Sequence, residues 1–122
     1  MSEERVRAVR GAIRVQEDTT EYVFTATERL LTAMFERNGI DPDDIVSVFF
    51  TATEDLRSAF PAEAARRMGL GRVPLMCAQE IRVRGSMPRV VRILMHFQTL
   101  RAQDEIAPTY LDGAESLRDD LG

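Results

Sequence analysis

Residues 90–97, VVRILMHF, are apolar at almost every position, yet one of them is an arginine. A strand of this composition sets Val91, Ile93, Met95 and Phe97 on one face and Val90, Arg92, Leu94 and His96 on the other. Both faces are largely apolar, so both need cover. Arg92 needs an explanation, because a guanidinium is rarely buried without a partner. It reads as a cation in a lined cavity, in want of an anion. The stretch leading to it, from Val73, is an apolar run ending at Cys77, then Glu80, then a turn around Gly85-Ser86.

The rest of the chain supplies neighbours for that strand. Residues 5–15, RVRAVRGAIRV, read as a first strand, with Arg7, Val9 and Ile13 on one face and Val6, Ala8, Arg10 and Ala12 on the other. Gly11 allows another segment or a ligand to come close. Asp18 and Thr19 offer a helix N-cap, and Glu21 stands at capping-box spacing from Asp18. Val23, Ala26, Thr27, Leu30, Leu31, Met34 and Phe35 then recur at helical spacing until Asn38-Gly39 ends the helix. Asp41 to Asp44 form a turn. Ile45 to Ala52 read as a second strand, covered on both faces. Pro61 opens a short helix that Gly69 closes. Val73 to Ala78 read as a third strand, Ile81 to Val83 as a fourth and Val90 to Thr99 as a fifth. Tyr110, Leu111, Ala114 and Leu117 are spaced as a short turn or irregular helix that docks back. This order predicts an α+β fold: a mixed sheet of about five strands with two main helices on one face. The other face still carries Val90 and Leu94, and association with further copies is the simplest way to cover it.

Length and composition narrow the function. The 122 residues make one domain, 1–122. No apolar run approaches the ~20 residues of a membrane helix, and the first residues lack the apolar core of a signal peptide. A single cysteine excludes an intrachain disulfide and fits a reducing cytoplasm. A net charge of −4, from 16 basic and 20 acidic residues, argues against general nucleic-acid binding. The charges are unevenly placed, however. Between Ala64 and Thr99 there are seven arginines and one acid, Glu80, and all bases in the chain are arginine. Composition bias accounts for most of them, while planar carboxylate recognition favours arginine at two or three sites.

Several chemistries lack their residues. One histidine cannot make a multi-histidine metal site. His96 reads as packing or interface before general base. Cys77 reads as a buried thiol before nucleophile, with no histidine beside it in sequence and no CxxC. The acids at 41–44 lack the ligand spacing of a calcium loop. No GxGxxG, Walker or GxSxG motif is present. Arg10 is open between an edge-strand arginine and a ligand group, Arg66 between a surface helix residue and the same, and Phe60 between a hydrophobic staple and a pocket wall. A set of arginines, one carboxylate and a tyrosine remains, suited to a small polyanion and without covalent machinery.

Five segments in order resemble the AroH class of chorismate mutase: VRGAIRVQEDT at 9–19, FPAEAAR at 60–66, VPLMCAQE at 73–80, the VVRILMHFQT strand, and YLDGAESLRDDL at 110–121. The resemblance implies a homotrimer with a pseudo-α/β-barrel core and an active site in each subunit cleft. It implies rearrangement of chorismate to prephenate, on the route to phenylalanine and tyrosine, with no cofactor and no metal. It makes Arg92 the cation at the breaking ether oxygen and Arg10 a carboxylate ligand. Glu80 would accept from the ring hydroxyl, which the backbone around Met76-Cys77 also contacts. Tyr110 would bind a carboxylate. Phe60, Leu117 and the Cys77 side chain would form an apolar wall, with Arg66 at the cleft mouth from a neighbouring subunit. Two positions depart from the family pattern. Glu63 stands where relatives often carry lysine, and Met76 where threonine is common. The competing reading is a catalytically silent trimer that binds a small anionic metabolite on the same scaffold.

Overall fold

The computed structural model describes residues 3–121, with side chains as far as Arg118. The chain runs β1 (Arg5–Arg14), α1 (Thr20–Asn38), β2 (Ile45–Ala52), α2 (Pro61–Arg67), β3 (Leu75–Gln79), β4 (Val90–Thr99) and β5 (Thr109–Leu111). Tight 3-10 turns occupy Pro42–Asp44, Gln103–Glu105 and Ala114–Leu121. The strands form one mixed sheet in the order β3-β2-β4-β1-β5. The arginine-bearing run is therefore the central strand, antiparallel to β1 and to β2. Each outer strand runs parallel to its neighbour.

Alternation along the strands separates two faces. Val9, Ile13, Val48, Phe50, Val91, Ile93, Met95 and Phe97 point towards the helices and join Val23, Leu30, Leu31 and Met34 of α1 in the main core. A bulge in β2 places Ile45 opposite Phe97 and Ser47 opposite His96, which keeps both Ile45 and Val48 on the buried side. Gly11 is where the helix presses closest. A Cβ there would stand 2.6 Å from Met34 Sδ and 3.2 Å from both Leu30 Cδ1 and the Thr109 carbonyl.

Polar side chains hold the connections. Thr19 is the N-cap of α1, accepting from the Tyr22 amide at 3.1 Å. Asp18 instead accepts from the amides of Arg57 and Ser58, both at 3.0 Å, and so ties the 53–60 loop to the start of α1. At the other end Gly39 adopts a left-handed φ of 59°. Buried Asn38 grips Ala107 through both amide atoms, at 2.7 and 3.0 Å, just ahead of β5. The Gln103 carboxamide similarly brackets Ala8, donating to its carbonyl at 2.7 Å and accepting from its amide at 3.2 Å.

Three expectations are corrected. Ile81 to Val83 is not a strand: both apolar side chains are exposed, and the segment is loop pinned by a Glu54–Arg82 ion pair and a Ser86 N–H bond to the Val83 carbonyl. The fifth strand lies instead at 109–111, inside the tail expected to be turn or helix, and the helical turn begins only at Ala114. β2 is not covered on both faces in one copy, where Val46 and Phe49 are exposed.

Candidate active site

The face turned from the helices carries the site. Strand register sets out a row across it: Tyr110 on β5, Ala12 on β1, Arg92 on β4, Thr51 on β2 and Ala78 on β3. Neighbouring strands are about 4.8 Å apart, so Tyr110 and Arg92 emerge about 10 Å from each other across small Ala12. The next row is Arg10, Leu94, Phe49 and Met76. Two residues past Ala78, just beyond the end of β3, Glu80 rises on this same face, where the Thr51 hydroxyl donates to its carboxylate.

Arg10, Phe49, Thr51, Glu80, Arg92 and Tyr110 line a common cavity of about 240 Å³. Arg92 Nε lies 3.5 Å from Glu80 Oε1, within ion-pair distance. The pair does not make a hydrogen bond, and that Nε is buried with no acceptor among the described residues. A buried donor left unpaired costs roughly 1–3 kcal/mol, more when charged. The Nε–H of Arg92 therefore lacks a hydrogen bond, while Glu80 stands beside the guanidinium and the side chain is 38% exposed. Arg10 is exposed and has no ion-pair or hydrogen-bond partner among the described residues. Two guanidiniums against one carboxylate leave the cavity positive. Tyr110 is buried beside Ala12, Val90 and Ala114, and Leu117 packs on this small cluster, so the Ala114–Leu121 turn buttresses the phenol.

The remaining expected residues stand elsewhere in the same copy. Phe60, 72% exposed, and Cys77 line a separate cavity of about 540 Å³. Cys77 pairs with Phe50 in register and packs on the helix-side core, so it faces away from Glu80. Thr51 lines both cavities. Met76 is exposed on the open face, beside Phe49. Arg66 and Glu63 are joined at 3.0 Å, both about half exposed. Glu63 thus occupies Arg66, the arginine that the resemblance sets at the cleft mouth, in an exposed pair of the weak kind. His96 lies 3.3 Å from Ser47 Oγ and edge-on to Phe49, a packing role. No group of three or more His, Cys, Asp or Glu among the described residues is arranged to hold a metal.

Two residues that line this cavity escaped the sequence reading, Thr51 and Phe49. Alternation along β2 could have found them, since both lie opposite the arginine face of β4.

The chain matches the family model of chorismate mutase type I over residues 6–121. It is 52% identical over 117 residues to chorismate mutase AroH of Thermus thermophilus, covering 95% of this chain and 96% of that relative. Identity to chorismate mutase AroH of Bacillus subtilis (strain 168) is 39% over 117 residues, covering 95% and 92%. Among solved structures, a chorismate mutase from Clostridium thermocellum superposes with a TM-score of 0.88 at 44% identity, covering 89% of this chain and 97% of that one.

Proposed function

This chain belongs to the type I family of chorismate mutases, the AroH class, and from that premise we propose that it converts chorismate to prephenate in the synthesis of phenylalanine and tyrosine. The observation that carries the reading is the buried, acceptor-less Nε of Arg92, set in one cavity with Arg10, Glu80 and Tyr110.

The reaction is a [3,3] rearrangement within one molecule. The ether C–O bond breaks as a C–C bond forms, and electrons move around a six-membered ring. No proton transfer, nucleophile or cofactor is needed. Catalysis then consists of holding the folded, diaxial conformer and stabilising the charge that grows on the ether oxygen. Arg92 donates to that oxygen. A fixed donor in such a position is worth about 3–4 kcal/mol in comparable oxyanion sites. Arg10 and Tyr110 hold a carboxylate. Glu80, oriented by the Thr51 hydroxyl, accepts from the ring hydroxyl and balances Arg92 in the empty site.

The other half of the site comes from a second copy, in a homotrimer whose clefts lie between subunits. Three features support this. Small-molecule pockets usually hold roughly 300–1,000 Å³, and the Arg92 cavity, at about 240 Å³, falls short of that range. Phe60 and Cys77 line a different cavity in the same copy, so their wall belongs to a neighbour's site. Phe49, Leu94 and Met76 are exposed on the open face and need cover. In this assembly Phe60, Arg66, the backbone at Met76-Cys77 and the Cys77 side chain come from one subunit, and Leu117 stands beside Tyr110 in the other. The polypeptide acts as one domain, and a single cysteine suits the cytoplasm; no described helix is long and apolar enough to cross a membrane.

Purified protein mixed with chorismate should speed the loss of its ultraviolet absorbance far beyond the spontaneous rate, with prephenate as product. A rate equal to the spontaneous one overturns the proposal.

A further inference from the structure

The arginines of this chain gather at a second place that the chemistry above does not use. Beyond the end of β1, against the first turns of α1, a cavity of about 440 Å³ is lined by Arg14, Arg29, Arg89, Tyr22 and Asp112 among others. It shares no residue with the Arg92 cavity. Three guanidiniums face one carboxylate there. Asp112 is taken by Arg29, with one contact at 3.3 Å. Arg89 uses its Nε on the Val15 carbonyl at 3.0 Å, which leaves its two terminal nitrogens without a partner among the described residues. Arg14 is half-buried and has no polar partner at all among them.

The backbone is also unusual at this point. Arg89, at φ 54°, and Asp112, at φ 51°, are the two non-glycine residues with positive φ among the described residues, and both line this cavity. Such conformations persist only where the surroundings hold them, and they concentrate at ligand sites and switches. Here the Arg89 amide donates to both oxygens of Asp55 at 3.1 Å, and the Arg89 carbonyl accepts from Val15 N–H at 2.6 Å. The Asp112-Gly113 turn is held by Gly113 N–H on the Glu115 carboxylate at 3.0 Å. The Arg14 stem lies along Gly113, where a Cβ would meet Arg14 Cδ at 3.5 Å.

We propose that this cavity is a second anion site, taking a small carboxylate- or phosphate-bearing molecule between Arg14 and Arg89. Planar guanidiniums bind either group through paired N–H donors. Tyr22 adds an aromatic wall with a hydroxyl. The site stands whether or not the cleft reading does. An occupant would sit three residues from Arg92 through Arg89 and two from Tyr110 through Asp112.

The test is a titration of inorganic phosphate, and separately of benzoate, into the ¹⁵N-labelled protein, following the arginine Nε–H resonances. At least one anion should shift Arg14 and Arg89 saturably. Its Kd should rise at least tenfold in Arg14→Gln and stay unchanged in Arg92→Ala, and the tighter of the two anions names the class. The Arg14 side chain makes no polar contact among the described residues, so Arg14→Gln should keep the wild-type fold and turnover. Shifts confined to Arg10 and Arg92, absence of saturation for both anions, or undiminished binding in Arg14→Gln would each overturn the proposal.

Discussion

At the residue scale, Arg92 Nε sits at ion-pair distance from a carboxylate without a hydrogen bond to it, and so keeps a donor free for an acceptor that arrives from outside. An interaction made mainly in the transition state lowers kcat when removed and leaves KM nearly alone. Arg92→Ala should therefore lower kcat by at least about a hundredfold with little change in KM, as steady-state kinetics will show. Equal changes in both would mean that Arg92 serves ground-state binding. Asp18 has a different function. Desolvation pushes its carboxyl up, but the Ser58 hydroxyl and amide, the Arg57 amide and the Arg57 charge outweigh it and hold the pKa below its ordinary value. A depressed carboxylate contributes stability that is present above the unfolded-state value and is lost as pH falls through the folded one. Asp18→Asn should thus be less stable than the parent at neutral pH, and the gap should close in acid. Urea unfolding across pH 2–7 measures it; a gap that does not depend on pH would remove the charge from the account.

Elements were legible where burial is one-sided and long. The 3.6-residue spacing from Val23 to Phe35 and the alternation of β1 and β4 reported both type and facing, because each buries one continuous stripe. The 109–111 strand could not be read: three residues carry no period, and its place beside β1 is set by Asn38 gripping Ala107, a contact 69 positions apart in the chain. The 81–83 segment misled for the opposite reason. It has strand composition, but no strand edge lies beside it, so Ile81 and Val83 remain in solvent. In the site, Arg92, Arg10, Glu80 and Tyr110 line one cavity, while the strand pattern alone had left Arg10 undecided. The Glu63–Arg66 pair was not legible, since i,i+3 spacing permits contact without requiring it. Gly11 shows how closely the layers are set. Gly11→Ala would force Met34 Sδ away from a Cβ at 2.6 Å and should cost about 1–3 kcal/mol in chemical denaturation. Unchanged stability would mean that α1 shifts freely over β1.

At the scale of the whole molecule, a sheet with helices on one side has to find cover for the other. Leu94 and Phe49 lie side by side on that face, next to the row that carries Arg92. Leu94→Glu should yield monomers in sedimentation, with the far-ultraviolet spectrum of the parent and without mutase activity. A trimeric Leu94→Glu protein would place the interface elsewhere. If clefts are shared, subunits carrying Arg92→Ala and subunits carrying Arg66→Ala, mixed and allowed to exchange, should recover more activity than either alone. No recovery after demonstrated exchange would mean that each copy builds its own site.

The Gln103 bracket bears on which assemblies this sheet can enter. β5 pairs with β1 only at Gly11–Ile13, so the earlier part of β1 would otherwise offer a bare row of amides and carbonyls to any passing strand. The carboxamide fills the Ala8 position of that row from within the chain, as a one-residue strand would. Strand addition is blocked at that position of β1. A side chain more than ninety positions away in sequence thus caps the stretch of β1 that β5 leaves unpaired.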